Sequence, residues 1–336
     1  LEFRLAKQFF SQLPQRVRVV WNDGTRIQAL LNTLVSHEID IGHQGKGRGC
    51  WTAYGYVLAR GQSQVIALHD CDIVSYDRQY LARLCYPVAN PNLAYEFCKG
   101  YYSRVTDRMH GRVTRLFITP LIRSLQLLVG PHPLLSFLDS FRYPLAGEFA
   151  MVRDLAWINR IPGDWGLEVG MLAEVYRNCA LRRICQADIA DAYEHKHQTL
   201  STHNPDAGLL KMCVDITKSL FRNLASEGLI LSESTLKTLR ATYLQAAQEA
   251  ISRYENDAAI NSLRFDRHEE RRAVEVFLRG MTLATDSFLG DPLGVPMISN
   301  WSRVTHAVPD IFHRLMDAVE QDHAWDPTAE TRQPVS

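Results

Sequence analysis

The chain has no surplus of either charge. Its 37 Lys and Arg are matched by 37 Asp and Glu. That balance argues against nonspecific nucleic-acid binding, which runs on excess basic residues. It leaves room for a local basic pocket that takes a small anion. No run of roughly 18 apolar residues occurs, so no membrane span is expected. The seven cysteines (Cys50, Cys71, Cys85, Cys98, Cys179, Cys185 and Cys213) are odd in number and scattered, and none forms a C-x-x-C pair. Neither a zinc site nor a disulfide framework is indicated, and a reducing cytoplasm is the expected compartment. The opening Leu1-Glu2-Phe3-Arg4 has no initiator Met and no signal-peptide pattern, so the true N-terminus is expected to lie outside this sequence. There is no internal repeat and no low-complexity block. What is present is core: 336 residues, 46% of them hydrophobic, suffice for one large domain or two smaller ones.

The first half alternates strands and helices. Arg16 to Trp21 is β-rich and stops at the turn signal Asn22-Asp23-Gly24. Ile27 to Leu34 and Trp51 to Ala59 have helical spacing. Val65 to Leu68 is a short apolar strand that runs into His69-Asp70-Cys71-Asp72, and Leu93 to Cys98 reads as another strand. This rhythm predicts an α/β fold with a mostly parallel sheet flanked by helices, whose ligands bind at the carboxyl ends of the strands. From residue 207 long helices take over. Leu236, Leu239, Tyr243, Ala246 and Ala250 make one apolar stripe, Arg267 to Phe288 a further helix, and Pro309 to Val319 a last one. The expected division is a sheet domain over 1–206, a helical region over 207–325 and a loose tail over 326–336.

Several short segments can carry chemistry. Residues two apart on a strand point to one side, so Asp70 and Asp72 form a carboxylate pair at a sheet edge. A divalent cation bridging to phosphate oxygens is the usual neutraliser of such a pair; a solvated turn is the plainer reading. Gly45-Lys46-Gly47-Arg48-Gly49 offers backbone close to a phosphate and one point charge, or it is a flexible surface loop. It lacks both the P-loop and the dinucleotide-binding spacings. Lys99 to Arg104 and Gly111 to Arg115 combine basic and hydroxyl groups suited to phosphate, or to ordinary surface. Glu148 and Glu168 follow glycine-containing turns, where a carboxylate either lines a sugar pocket or only complements a helix dipole. His195 and His197 have strand spacing and could face one ligand.

Taken in order, these segments resemble the glucosyl-3-phosphoglycerate synthases, retaining sugar transferases of the GT-A fold. The likeness rests on Gly45-Lys46-Gly47, Asp70-x-Asp72, Lys99-Gly100-Tyr101-Tyr102-Ser103-Arg104-Val105 and Gly111-Arg112-Val113-Thr114. It continues through Pro144-Leu145-Ala146-Gly147-Glu148, Gly166-Leu167-Glu168-Val169-Gly170 and the His195 segment, and so spans roughly residues 16 to 200. Order and spacing together are more specific than any one motif. The resemblance implies that Lys46 and Asp70 contact the nucleotide-sugar donor and that Asp70 and Glu168 lie at the reacting sugar. Gly147 would let backbone approach the sugar or the acceptor. Asp72 and His195 would hold Mg²⁺, or Mn²⁺ or Co²⁺ in its place. Arg112 and Thr114 would grip the acceptor phosphate, with His197 also toward the acceptor. The family's first strand, with its nucleotide-contacting Pro and Glu, has no counterpart before Arg16. His197 stands where such enzymes often have Asn. The helices after 207 exceed what the motifs explain and are expected to form a dimer interface or a lid, in a homodimer.

The implied reaction moves glucose from an NDP-glucose to 3-phosphoglycerate, with the departing diphosphate neutralised by metal. Mannosyl transfer to phosphoglycerate or glycerate shares part of the pattern. A catalytically silent sugar-nucleotide-binding protein is the rival from another class.

Overall fold

A computed structural model of the chain describes residues 1–191, 193 and 208–324. Its centre is a four-stranded sheet of β1 (Val65–Leu68), β2 (Phe97–Tyr102), β3 (Phe149–Val152) and β4 (Ile184–Ala190), in the order β1-β3-β2-β4. The helices are α1 (Glu2–Phe10), α2 (Thr25–Ser36), α3 (Lys46–Arg60), α4 (Arg78–Ala89), α5 (Thr119–Val129), α6 (Pro133–Asp139), α7 (Arg153–Ile158), α8 (Leu167–Asn178), α9 (Gly208–Ser226), α10 (Glu233–Ile260), α11 (Arg267–Gly290), α12 (Trp301–Ala307) and α13 (Ile311–Ala324). A π-helical turn, Val113–Ile118, leads into α5. None of the described helices is long and apolar enough to cross a membrane.

The α/β class follows the alternation in the sequence, and β1, β2 and β4 run in one direction. The expectation of parallel pairing holds only for β2 with β4. β3 lies between β1 and β2 and is antiparallel to both. The crossover through α4 leaves a one-strand gap between β1 and β2, and β3 fills it from the opposite end. The β-rich stretch 16–21 is not a strand. Among the described residues the four strands pair only with one another, so it has no ladder partner. Val20 packs on the core, and Arg18 Nε bonds Glu320 Oε2 at 2.7 Å instead. The strand expected over Leu93 to Cys98 begins later, at Phe97.

Successive residues on a strand face opposite ways, and here both faces are covered. Phe97, Phe149 and Met151 join the large core with α2, α3, α5 and the C-terminal helices, while Cys98 and Ala150 join a smaller cluster with Leu84, Val88 and Ile189. The C-terminal helices start on side-chain caps. Ser232 accepts from Thr235 N, Asp266 from Glu269 N and Asn300 from Arg303 N. On α10 the buried stripe is Leu236, Leu239, Tyr243, Ala247 and Ala250, with Ala246 just off it. Tyr243 reaches across to donate to Leu116 O at 2.9 Å, which satisfies a carbonyl of the π turn. The last helix begins at Ile311, two residues after Pro309. The expected loose tail over 326–336 lies outside the described residues.

Candidate functional site

β1 ends at Leu68, and His69-Asp70-Cys71-Asp72 follows it over the sheet edge. The antiparallel partner β3 begins at Phe149, opposite Leu68. Continuing that register two residues past the ladder brings Asp70 opposite Gly147. A Cβ on Gly147 would lie 2.5 Å from both carboxylate oxygens of Asp70, so glycine alone leaves the carboxylate its place. The next residue, Glu148, is fully buried. Its carboxylate accepts from Tyr102 Oη at 3.0 Å, from Tyr193 Oη and from Asp70 N at 3.4 Å. Burial, and then the charge of Asp70, push its carboxyl above the usual range. Lys99 on β2 is buried as well and donates to Ala146 O, which anchors the turn that carries Gly147. Burial pulls its ammonium down to about 8, against the attraction of Glu168, Glu148 and Asp70.

The glycine-rich run is not a loop. Gly45 caps α3, and Lys46 is its first residue. The helix start is pressed onto 162–164: a Cβ on Gly47 would sit 1.9 Å from Pro162 O, and one on Gly45 2.7 Å from Gly163 O. Close packing therefore explains these glycines. Lys46 projects from this turn with Nζ 2.7 Å from Asp70 Oδ1 and 2.8 Å from Glu168 Oε1, and it lies 5.8 Å from the Trp165 ring centroid. Burial lowers its pKa, but Glu168 and Asp70 outweigh that and hold it above the ordinary lysine value, so it stays charged. Glu168 is in the first turn of α8, where a carboxylate also meets the helix dipole.

Across the cavity, Arg112 donates through Nε to Glu270 Oε1 at 2.8 Å, and Arg115 Nη2 reaches Glu270 Oε2 at 3.1 Å. Of the terminal nitrogens of Arg112, Nη1 lies 4.0 Å from Glu269 Oε2, an ion pair too long for a hydrogen bond. Thr114 is buried, and its Oγ1 has no partner there. Asp72 is half-buried and has no ion pair among the described residues. One cavity of about 900 Å³ is lined by Lys46, Asp70, Asp72, Arg112, Thr114, Gly147 and Glu168 together. His195 and His197 lie outside the described residues. Among the described residues no three His, Cys, Asp or Glu side chains cluster as metal ligands.

The sequence left Glu148 either lining a sugar pocket or complementing a helix dipole; it does neither, but is buried away from the cavity-lining residues and accepts from Asp70 N. Sequence reasoning also missed the burial of Lys99, although a lysine inside an apolar strand is itself a signal of a buried charge. Glu270 carried no such signal, because it stands 158 residues from Arg112 in the chain. Leu209, Met212 and Ile216 of α9 complete the cavity wall.

The chain is 49% identical over 325 residues to the glucosyl-3-phosphoglycerate synthase of Persephonella marina, covering 97% of this chain and 80% of that protein. It is 42% identical over 320 residues to the Methanococcoides burtonii protein of the same name, covering 94% and 78%. A solved structure of glucosyl-3-phosphoglycerate synthase from Mycobacterium tuberculosis, in complex with Mn²⁺, UDP-glucose and phosphoglyceric acid, is 22% identical. It covers 62% of this chain and 61% of that chain, under two thirds of its length, with a TM-score of 0.43. That likeness is too loose to carry residue roles across. No protein-family model matches the chain.

Proposed function

This chain belongs to the glucosyl-3-phosphoglycerate synthase family, and from that membership we propose that it transfers glucose from a nucleoside-diphosphate glucose to the free hydroxyl of 3-phosphoglycerate. The observation that carries the reading is the Lys46–Asp70–Glu168 cluster in the same cavity as Arg112 and Thr114. Its volume of about 900 Å³ suits a nucleotide sugar with a small acid beside it.

Each group has a task matched to its state. Lys46 is a retained positive charge at the donor, and it holds Asp70 and Glu168 in fixed positions. Those two carboxylates accept from sugar and acceptor hydroxyls. The hydroxyl of Thr114, without a partner among the described residues, and the terminal nitrogens of Arg112 donate to the acceptor phosphate. Glu270 keeps the Arg112 guanidinium in place for this. The carboxylate of Asp72, unpaired among the described residues, fits a hard divalent cation, since Mg²⁺ is commonly held by one or two carboxylates plus substrate phosphates; His195 is the proposed second ligand. When bound, Mg²⁺ (or Mn²⁺ or Co²⁺) supplies neutralising charge to the diphosphate. The bond from the sugar's anomeric carbon to the phosphate oxygen breaks, and a bond to the acceptor oxygen forms on the same face. The acceptor's proton passes to the departing diphosphate. Glu168, tied to Lys46, orients the acceptor hydroxyl, and retention comes from the same-face attack without a protein nucleophile. Positioning and electrostatics supply the acceleration.

A donor-by-acceptor matrix tests this: GDP-, UDP- and ADP-glucose and GDP-mannose against 3-phosphoglycerate and glycerate, with and without Mg²⁺. Product is expected from an NDP-glucose with 3-phosphoglycerate, and only with the cation. Product from glycerate alone discards the phosphate role of Arg112. Preference for GDP-mannose makes the chain a mannosyl transferase, and donor binding without any product makes it a silent binding protein.

A further inference from the structure

The main cavity does not stop at Arg112. It shares Tyr102, Arg104, Gly111, Thr114 and Tyr143 with an adjoining cavity of about 560 Å³. This second chamber is lined by Arg104, Arg115, Arg123, Arg142 and Arg253, with Asp139 as its one acidic side chain. Counting Glu270, which pairs with Arg115, still leaves a surplus of three positive charges. In a chain of zero net charge that is a local concentration.

The arginines are only partly spent on one another's surroundings. Arg123 meets Asp139 at 3.2 Å, Arg104 donates to Tyr143 Oη at 3.1 Å, and Arg142 stacks on the Tyr101 ring at 4.5 Å. Arg253 is exposed and has no ion pair among the described residues. Two buried donors, Arg104 Nε and Arg115 Nη1, have no hydrogen-bond partner there. Buried unmet donors on charged groups are costly, so the positive charge around the chamber is not fully compensated by acceptors among the described residues.

We propose that this chamber is the vestibule through which the acceptor enters: it captures a small acid that bears both phosphate and carboxylate and hands it to Arg112 and Thr114. The inference rests on 3-phosphoglycerate being the acceptor. Such an acid carries a carboxylate and a phosphate of about −1.5 to −2 charge. A cleft walled by the opposite sign focuses the field and raises local concentration and on-rate by about 10- to 1,000-fold.

The test is steady-state kinetics on the intact chain, with the acceptor varied at saturating donor and the donor varied at saturating acceptor. Arg253→Glu and Arg123→Gln are compared with Arg253→Lys and wild type, at low salt and in 1 M NaCl. For Arg253→Glu, kcat/KM for 3-phosphoglycerate is expected to fall about tenfold at low salt. Its kcat and its KM for the donor are expected to stay unchanged. The loss should shrink to under about twofold in 1 M NaCl, where the Debye length is about 3 Å. Arg253→Lys should keep the wild-type value, since steering needs charge and no guanidinium fork. Arg123→Gln should show a smaller loss of the same salt dependence; if it fails to fold without its contact to Asp139, Arg253→Glu decides alone. The vestibule is overturned if Arg253→Glu keeps wild-type kcat/KM, loses it equally at both salts, or weakens donor and acceptor alike. Wild type that turns over 3-phosphoglycerate beside unaffected variants removes the vestibule only. Wild type with no turnover of that acid overturns both readings.

Discussion

Replacing Lys46 with methionine removes one ammonium from between two carboxylates and keeps the length of the side chain. The structure sets the size of the effect. Lys46 Nζ lies 2.7 Å from Asp70 and 2.8 Å from Glu168, and the side chains of Glu168, Lys46 and Asp70 are 6%, 20% and 30% exposed. Breaking a fully buried pair by removing one partner costs about 3–5 kcal/mol. Water reaches Lys46 and Asp70 and screens part of that, which brings the expected loss to about 2–3 kcal/mol. In urea denaturation, with a slope near 2–3 kcal/mol/M, the midpoint should fall by about 1 M. Adding Glu168→Gln removes the charge left stranded and should recover at least half of the loss. The two substitutions are then non-additive, as expected for residues in contact. Turnover should be absent in both variants, because the donor has lost its positive partner. An unchanged midpoint for Lys46→Met, or a second substitution that simply adds its own cost, refutes the account of Lys46 as the clamp of this site.

Gly147→Ala should abolish turnover while the protein still melts cooperatively, since the new Cβ would occupy space 2.5 Å from the Asp70 oxygens; wild-type kcat and KM would show that Asp70 needs no fixed place. Asp72→Ala should remove divalent-cation-dependent turnover and leave the far-UV circular dichroism unchanged, and near-normal activity in Mg²⁺ would end its assignment as the metal carboxylate. For Lys99 the folded chain holds the ammonium at about 8, against an ordinary 10.5. Below pH 8 both states are protonated and the burial penalty is complete. Between pH 8 and 10.5 the folded state releases its proton first, so stability rises with pH, by on the order of 3 kcal/mol in total. The difference in unfolding free energy between wild type and Lys99→Met should change across that window, and a difference flat in pH would contradict the burial of a charged Lys99.

Much of the site was legible because its chemistry is local. Asp70-Cys71-Asp72 follows four apolar residues, and a short strand ending in carboxylates belongs at a sheet edge wherever the sheet lies. The helical periods of α2, α10 and α11 and the alternation that predicts an α/β fold are equally properties of neighbours in the chain. The family resemblance carried by the order of Lys46, Asp70, Arg112, Gly147 and Glu168 implied that they serve one site, and one cavity is lined by all five.

The sequence alone therefore determined the α/β class, most helices and the residue types that meet at the site. Tertiary structure decided how they meet. Four apolar residues read the same whether their partner runs parallel or antiparallel, so only the assembled sheet could insert β3 between β1 and β2 and set Gly147 against Asp70. The glycines at 45 and 47 look like loop until Pro162 and Gly163 press against them. Whether a charge such as Lys99 or Glu148 is in water or in the core depends on what packs over it, and Glu270 could reach Arg112 only once α11 had folded onto the π turn. Hydrophobic period and motif order are written between residues close in the chain; register, burial and ion pairing are relations between distant segments, and only the fold brings those together.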